Sequence, residues 1–176
     1  MLLLTTLREL KQVSTDIQTK QQDYQLLVQQ AKALLSGESD YIANAANISA
    51  LIYNNLADLN WAGFYFLKAE QLVLGPFQGQ VACVRIPLGR GVCGTAAATG
   101  EIQRIADVHQ FDGHIACDAA SNSEIVLPIT HAGKVVAVLD IDSPELQRFD
   151  LIDQQYLSQI ADLFVQHSEL GSLDGV

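Results

Sequence analysis

The chain has 176 residues, 20 Asp and Glu against 10 Lys and Arg for a formal charge of −10, and an apolar content of 49%. This length suits one domain with a substantial core, and so many apolar residues spread along the chain argue against wholesale disorder. An acidic chain with scattered basic residues lacks the footprint that nucleic acid or an anionic membrane requires, and no apolar run approaches the roughly 20 residues of a membrane span.

The opening Met1-Leu2-Leu3-Leu4 has no basic region beside it, and Thr5-Thr6 cut the apolar stretch short, so it is not read as a signal sequence. The chain is read as cytoplasmic. Residues 1–20 are expected to form either a short helix or a loose arm. From 21 to 35, Tyr24, Leu27, Val28, Ala31, Leu34 and Leu35 fall at helical spacing and Gly37 is a stop signal. A second helix is predicted over 41–56, on Ile42, Ala45, Ala46, Ser49 and Ile52.

From Trp61 the pattern changes to short strands, predicted over 61–67, 71–75, 83–87, 102–105, 124–131 and 135–141. His131-Ala132-Gly133-Lys134 is a tight-turn signal joining the last two as a hairpin. A closing helix starts at Asp150 as N-cap, with Phe149, Ile152, Tyr156, Leu157, Ile160, Leu163 and Phe164 as its apolar stripe. Helices at both ends and about six strands between them predict an α+β fold. Its antiparallel sheet carries the N- and C-terminal helices on one face, with the whole of 1–176 as a single domain. The strands follow one another too closely for repeated crossover helices.

Gly89-Arg90-Gly91-Val92-Cys93-Gly94 matches the dinucleotide fingerprint by letter. That fingerprint needs a long helix to hold the pyrophosphate, and 95–99 leaves little more than one turn before Gly100. The glycines are instead expected to allow a tight backbone path that presents Cys93.

Period-two alternation places Trp61, Gly63 and Tyr65 on one strand face and Ala62, Phe64 and Phe66 on the other. Asp140 and Asp142 share a face, and Glu124 opens the neighbouring strand. Where these faces converge, aromatics and carboxylates suit a small ligand with an ammonium group and an apolar tail. The plainer reading makes Trp61 and Tyr65 core and the two Asp residues turn caps; a Mg²⁺ or Ca²⁺ site on the Asp pair has little further ligand spacing behind it. The polar segment 107–124 is long enough to be a functional loop.

The three cysteines, Cys83, Cys93 and Cys117, leave buried thiols, a metal site or redox chemistry open. Zinc would need the three sulfurs and a histidine such as His114 to converge, without any C-x-x-C pair. Taken locally, Cys93 is favoured as a thiolate by a nearby helix N-terminus, whereas Asp118 disfavours one at Cys117 unless a protonated His114 reverses the balance.

The blocks NWAGFYF (60–66), LGPFQGQVAC (74–83), GRGVCGTAA (89–97), DVHQFDGHIACD (107–118), SEIVLPI (123–129) and VLDIDSP (138–144) occur in one order. In this the chain resembles the free methionine-(R)-sulfoxide reductases, which are GAF-domain enzymes. The resemblance implies reduction of free methionine sulfoxide, with thioredoxin as the recycling partner and no cofactor or metal. It implies Cys117 as nucleophile, Cys83 as main resolving thiol and Cys93 as a secondary one. Trp61 and Tyr65 would hold the methylthio end, and Glu124, Asp140 and Asp142 the polar parts of the substrate. Asp112 departs from the family, which has proline there to stiffen the loop. A GAF sensor that binds a small ligand without chemistry is the alternative, and a homodimer is the expected assembly.

Overall fold

The computed structural model describes residues 7–113 and 119–173. Its elements in order are α1 (Leu7–Leu35), α2 (Tyr41–Asn55), β1 (Trp61–Lys68), β2 (Gln71–Gly79), β3 (Arg85–Pro87), α3 (Gly91–Thr99), β4 (Gln103–Ile105), β5 (Ser123–His131), β6 (Lys134–Ser143) and α4 (Leu151–His167). The six strands form one antiparallel sheet in the order β3-β2-β1-β6-β5-β4. The long central strands β1 and β6 are buried on both faces, which explains their nearly unbroken apolar sequence.

Alternation divides the core in two. Ala62, Phe64, Phe66, Ile125, Leu127, Ile129, Ala137, Leu139 and Ile141 meet α1, α2 and α4 on one face. Trp61, Tyr65, Leu72, Val126 and Val138 point the other way, toward Val92, Cys93, Ala96 and Ala97 of α3. The terminal helices thus share a face, as the sequence predicts, and α3 covers the other.

Several boundaries differ from the sequence reading. Helix α1 is continuous from Leu7, beyond the reach of the apolar spacing, and its buried stripe is Tyr24, Leu27, Ala31 and Leu35, with Leu34 exposed. In α2 the inward face is Asn44, Ala45, Ile48, Ser49 and Ile52, while Ile42 and Ala46 face out. The polar members have their donors engaged: Asn44 Nδ2 donates to Glu38 O at 3.1 Å, and Ser49 Oγ lies 2.7 Å from Ala45 O and 3.2 Å from Pro76 O. Strand β2 runs through Gly75-Pro76 to Gly79 because the β1–β2 register shifts there, between Gly63 and Tyr65. A bulge absorbs the residues that sequence reading takes as a stop. Helix α3 has nine residues where about one turn is expected. A Cβ on Gly94 would lie 2.4 Å from Pro87 O, so glycine is what lets α3 pack directly on β3 and gives the helix room to continue.

The hairpin β5–β6 turns through Ala132 and Gly133, both at positive φ as a two-residue turn of this hand requires. Asp150 caps α4 by accepting from Ile152 N and Asp153 N, and Asp153 accepts from Asp150 N in return. Among the described residues no helix is long and apolar enough to cross a membrane.

Asp153 also clamps α4 to α1. Its buried carboxylate accepts from Lys20 Nζ at 2.6 Å, Tyr24 Oη at 2.6 Å and Arg148 Nη1 at 3.0 Å. Burial opposes its charge, but the Asp150 amide, Lys20, Tyr24 and Arg148 together outweigh burial and hold its pKa at about 2. A depressed carboxyl contributes stability above its unfolded value of roughly 4 and loses it as pH falls toward the folded value. Asp153→Ala strands Arg148 and Tyr24 and is expected to cost about 3–5 kcal/mol, read as a lower urea midpoint at unchanged slope. Stability of the wild type is expected to fall between about pH 4 and pH 2, and the variant loses that component of the fall.

Candidate active site

Sheet register assembles the site. Trp61 pairs with Asp142 and Gly63 with Asp140 across β1–β6, while Glu124 pairs with Asp142 and Val126 with Asp140 across β5–β6. Directly paired residues share a face. Trp61 and Tyr65 of β1, both aspartates of β6 and Glu124 of β5 therefore emerge on the side covered by α3. The convergence that alternation leaves conditional is decided by β6 lying between β1 and β5.

Trp61 stacks on Tyr65 (centroids 5.7 Å apart, planes at 25°) and on Phe77 of β2 (5.3 Å, 13°). A Cβ on Gly63 would sit 2.4 Å from Phe77 Cβ and 2.7 Å from Trp61 Cη2, so only glycine leaves room for the stack. Phe77 is the wall residue that sequence reasoning missed. It lies in the block 74–83, but Gly75-Pro76 had ended the predicted strand before it. The polar atoms of the same aromatics reach the connection between β2 and β3: Trp61 Nε1 donates to Gln80 O at 3.2 Å, and Tyr65 Oη donates to Cys83 O at 3.0 Å.

Behind this wall, Glu124 and Asp140 are each only 6% exposed. The Cys93 thiol donates to Glu124 Oε1 at 3.8 Å, and ligand atoms of Cys93, Glu124 and Asp140 all lie within 4.8 Å of one another. Burial, then Asp140 and Asp142, pushes the Glu124 carboxyl well above the ordinary carboxylate range. Burial likewise raises Asp140, to about 6, although hydrogen bonding with Cys93 and Glu124 opposes the rise. One buried oxygen, Asp140 Oδ1, has no hydrogen-bond partner. Burial also lifts the Tyr65 phenol, with Asp140 adding to it. The cluster is a store of protons near neutrality. Its span would admit a cation, but burial disfavours the ionised forms that ligation needs.

The three cysteines differ in state. Cys93 is the third residue of α3 and a free, buried thiol. Burial, followed by the charges of Asp140 and Glu124, holds its pKa well above the usual thiol value. This corrects the local reading in which a helix N-terminus makes Cys93 the better thiolate: two carboxyl groups in a dry site outweigh one helix end. Cys83 is half-buried in the β2–β3 connection and disulfide-bonded. Its sulfur is then no thiolate ligand, which removes the arrangement the zinc reading needs. Cys117 and His114 lie outside the described residues. Asp112 is an exposed turn residue, and the loop before it is ordered by Asp107, which accepts from His109 N and Gln110 Nε2.

Because the Asp140 pKa is raised, the folded chain binds more protons than the unfolded chain between about pH 4 and pH 6. Stability from this group is therefore complete below pH 4 and declines as pH rises through 6. Asp140→Asn keeps the shape without the charge and is expected to flatten this decline, measured as the melting temperature of the ligand-free protein from pH 4 to 8. An unchanged profile would show that Asp140 is not the group responsible.

The family model for the GAF domain matches residues 42–167. The chain is 62% identical over 128 residues, 73% of its length and 78% of the relative's, to the Escherichia coli protein named free methionine-R-sulfoxide reductase. It is 45% identical over 152 residues, 82% of its length and 84% of the relative's, to the Saccharomyces cerevisiae protein of the same name. The free methionine-R-sulfoxide reductase from Neisseria meningitidis in complex with its substrate is similar in structure, with a TM-score of 0.80 at 40% identity, over 82% of this chain and 87% of that one. On sequence, fold and the acid-and-aromatic site together, the chain belongs to the GAF-domain free methionine-R-sulfoxide reductases.

Proposed function

We propose that this chain reduces free methionine-(R)-sulfoxide to methionine. The observation that carries the reading is the unpartnered buried acceptor Asp140 Oδ1 in an acid cluster beside the Trp61–Tyr65–Phe77 wall. An ammonium group would satisfy that oxygen, and a methylthio group suits the aromatic faces. Trp61 and Tyr65 hold the methyl end in this reading, and Asp140 and Asp142 the amino-acid end.

The Cys117 sulfur attacks the sulfoxide sulfur and takes its oxygen, giving methionine and a Cys117 sulfenic acid. Oxygen leaves sulfur only as it is protonated. Glu124, whose carboxyl is held well above the ordinary carboxylate range by burial beside Asp140, supplies that proton and recovers one from the attacking thiol's side. The Cys83 thiol then condenses with the sulfenic acid, forming a disulfide and releasing water. Two reducing equivalents from thioredoxin restore both thiols by exchange. What supports this pairing is that Cys83 is in a disulfide while Cys93 is a free, buried thiol, in a chain of three cysteines. A sensor without chemistry leaves that disulfide without a purpose. A reducing cytoplasm as the compartment, where such a bridge is transient and catalytic, and a homodimer as the assembly belong to the same proposal.

The test couples NADPH oxidation through thioredoxin reductase and thioredoxin to each epimer of free methionine sulfoxide. Consumption is expected with the R epimer alone; none with either epimer, on protein with intact thiols, overturns the reading. A single sulfoxide pulse without reductant is expected to remove two thiols in the wild type and in Cys93→Ser, and none in Cys117→Ser. Cys83→Ser should instead accumulate a sulfenic acid that a dimedone probe traps.

A further inference from the structure

We propose that the connection between β2 and β3, residues 80–85, is the docking surface through which a protein dithiol reaches the sulfur of Cys83. This rests on the reductase reading above and names where its reductant binds.

Val81 is 85% exposed and Val84 63% exposed, on either side of the half-buried Cys83. Single exposed valines are ordinary on a soluble surface; two that bracket a disulfide sulfur are not explained by the core or by the substrate site. Nor are they the outcome of a slack loop. The backbone is held at three points: Gln80 O by Trp61 Nε1, Cys83 O by Tyr65 Oη, and Val84 O by Leu74 N at 3.0 Å. With these carbonyls engaged, the connection presents its apolar side chains outward in one arrangement, and a partner need not order it on binding. Strand β3, which follows directly, is an edge of the sheet.

Charge narrows the partner further. The chain carries a formal charge of −10, yet the residue beside Val84 is Arg85, exposed and paired with no carboxylate among the described residues, and Arg90 farther along is likewise exposed and unpaired. A cation beside an apolar pair on an acidic protein suits a partner that is apolar around its reactive cysteine and acidic at the rim. In the exchange, the partner's thiolate attacks Sγ of Cys83, the bond to Cys117 breaks, and Cys117 leaves and takes up a proton. The partner's second thiol then attacks its own mixed-disulfide sulfur and releases the Cys83 thiol. The protein gains two electrons and two protons, and the partner dithiol becomes a disulfide.

The test compares a protein reductant with a small one on the full-length chain. Val81→Asp and Val84→Asp are expected to raise the KM for thioredoxin by about tenfold each, a change of about 1.4 kcal/mol. Turnover driven by dithiothreitol, which needs no docking surface, should stay within twofold of wild type. Arg85→Glu should raise the same KM and remove most of its increase with added salt. Equal thioredoxin KM values in the wild type and all three variants would overturn the proposal. So would parallel loss of thioredoxin-driven and dithiothreitol-driven turnover, which marks damage to the site rather than to docking. Absence of dithiothreitol-driven methionine release in the wild type itself would instead defeat the reductase reading.

Discussion

Two carboxyl groups and a thiol are forced together on one face of the sheet, and the chemistry follows from that crowding. Glu124 and Asp140 arrive from neighbouring strands and Cys93 from the helix above them. The three cannot all be ionised at once while water is excluded and each lies near the others. The sheet could have buried valine at these positions with less strain on its stability. What the acids provide is a pair of buried carboxyl groups raised above their ordinary range, together with an acceptor oxygen that the protein does not satisfy by itself.

The aromatic residues link this acid cluster to the connection that carries Cys83. Trp61, Tyr65 and Phe77 form one stack whose faces line the site and whose polar edges hold the backbone on either side of Cys83. The aromatic wall of the site is thereby the part that holds the connection carrying Cys83. An indole N–H and a phenol O–H, buried, require acceptors, and the carbonyls of Gln80 and Cys83 supply them. Aromatic wall and Cys83 connection are therefore set by the same four side-chain and backbone groups, with little freedom for one to shift without the other.

Such a site needs a scaffold that does not yield to it. The opposite face of the sheet supplies one, with a continuous apolar layer under α1, α2 and α4. The charged groups on that side are handled in the reverse manner. Asp153 is as buried as Asp140, but a capping amide, a lysine, a phenol and a guanidinium converge on it and keep it ionised. The same residue type is held near a pKa of 2 in the scaffold and near 6 in the site. The difference lies in whether positive and hydrogen-bond-donating partners are supplied or withheld.

Much of this was legible in the residues alone. Helical spacing marked α4 and the later part of α1, period-two alternation sorted β1 into its two faces, and the order of six motif blocks pointed to the family with its aromatic and acidic residues. These signals are local, and each depends on neighbours within a few positions. What the amino-acid order left open were features made by contacts between distant segments. The run 95–99 could not reveal that α3 begins at Gly91 and settles on β3 through Gly94. Gly75-Pro76 concealed Phe77 because only a bulge, opposite the stretch between Gly63 and Tyr65, lets the strand pass through them. Above all, a cysteine near a helix start looked activated until the tertiary structure set it against Glu124 and Asp140. Desolvation and the charge of groups 31 and 47 residues away in sequence decide a thiol's acidity, and only the packed fold determines which groups those are.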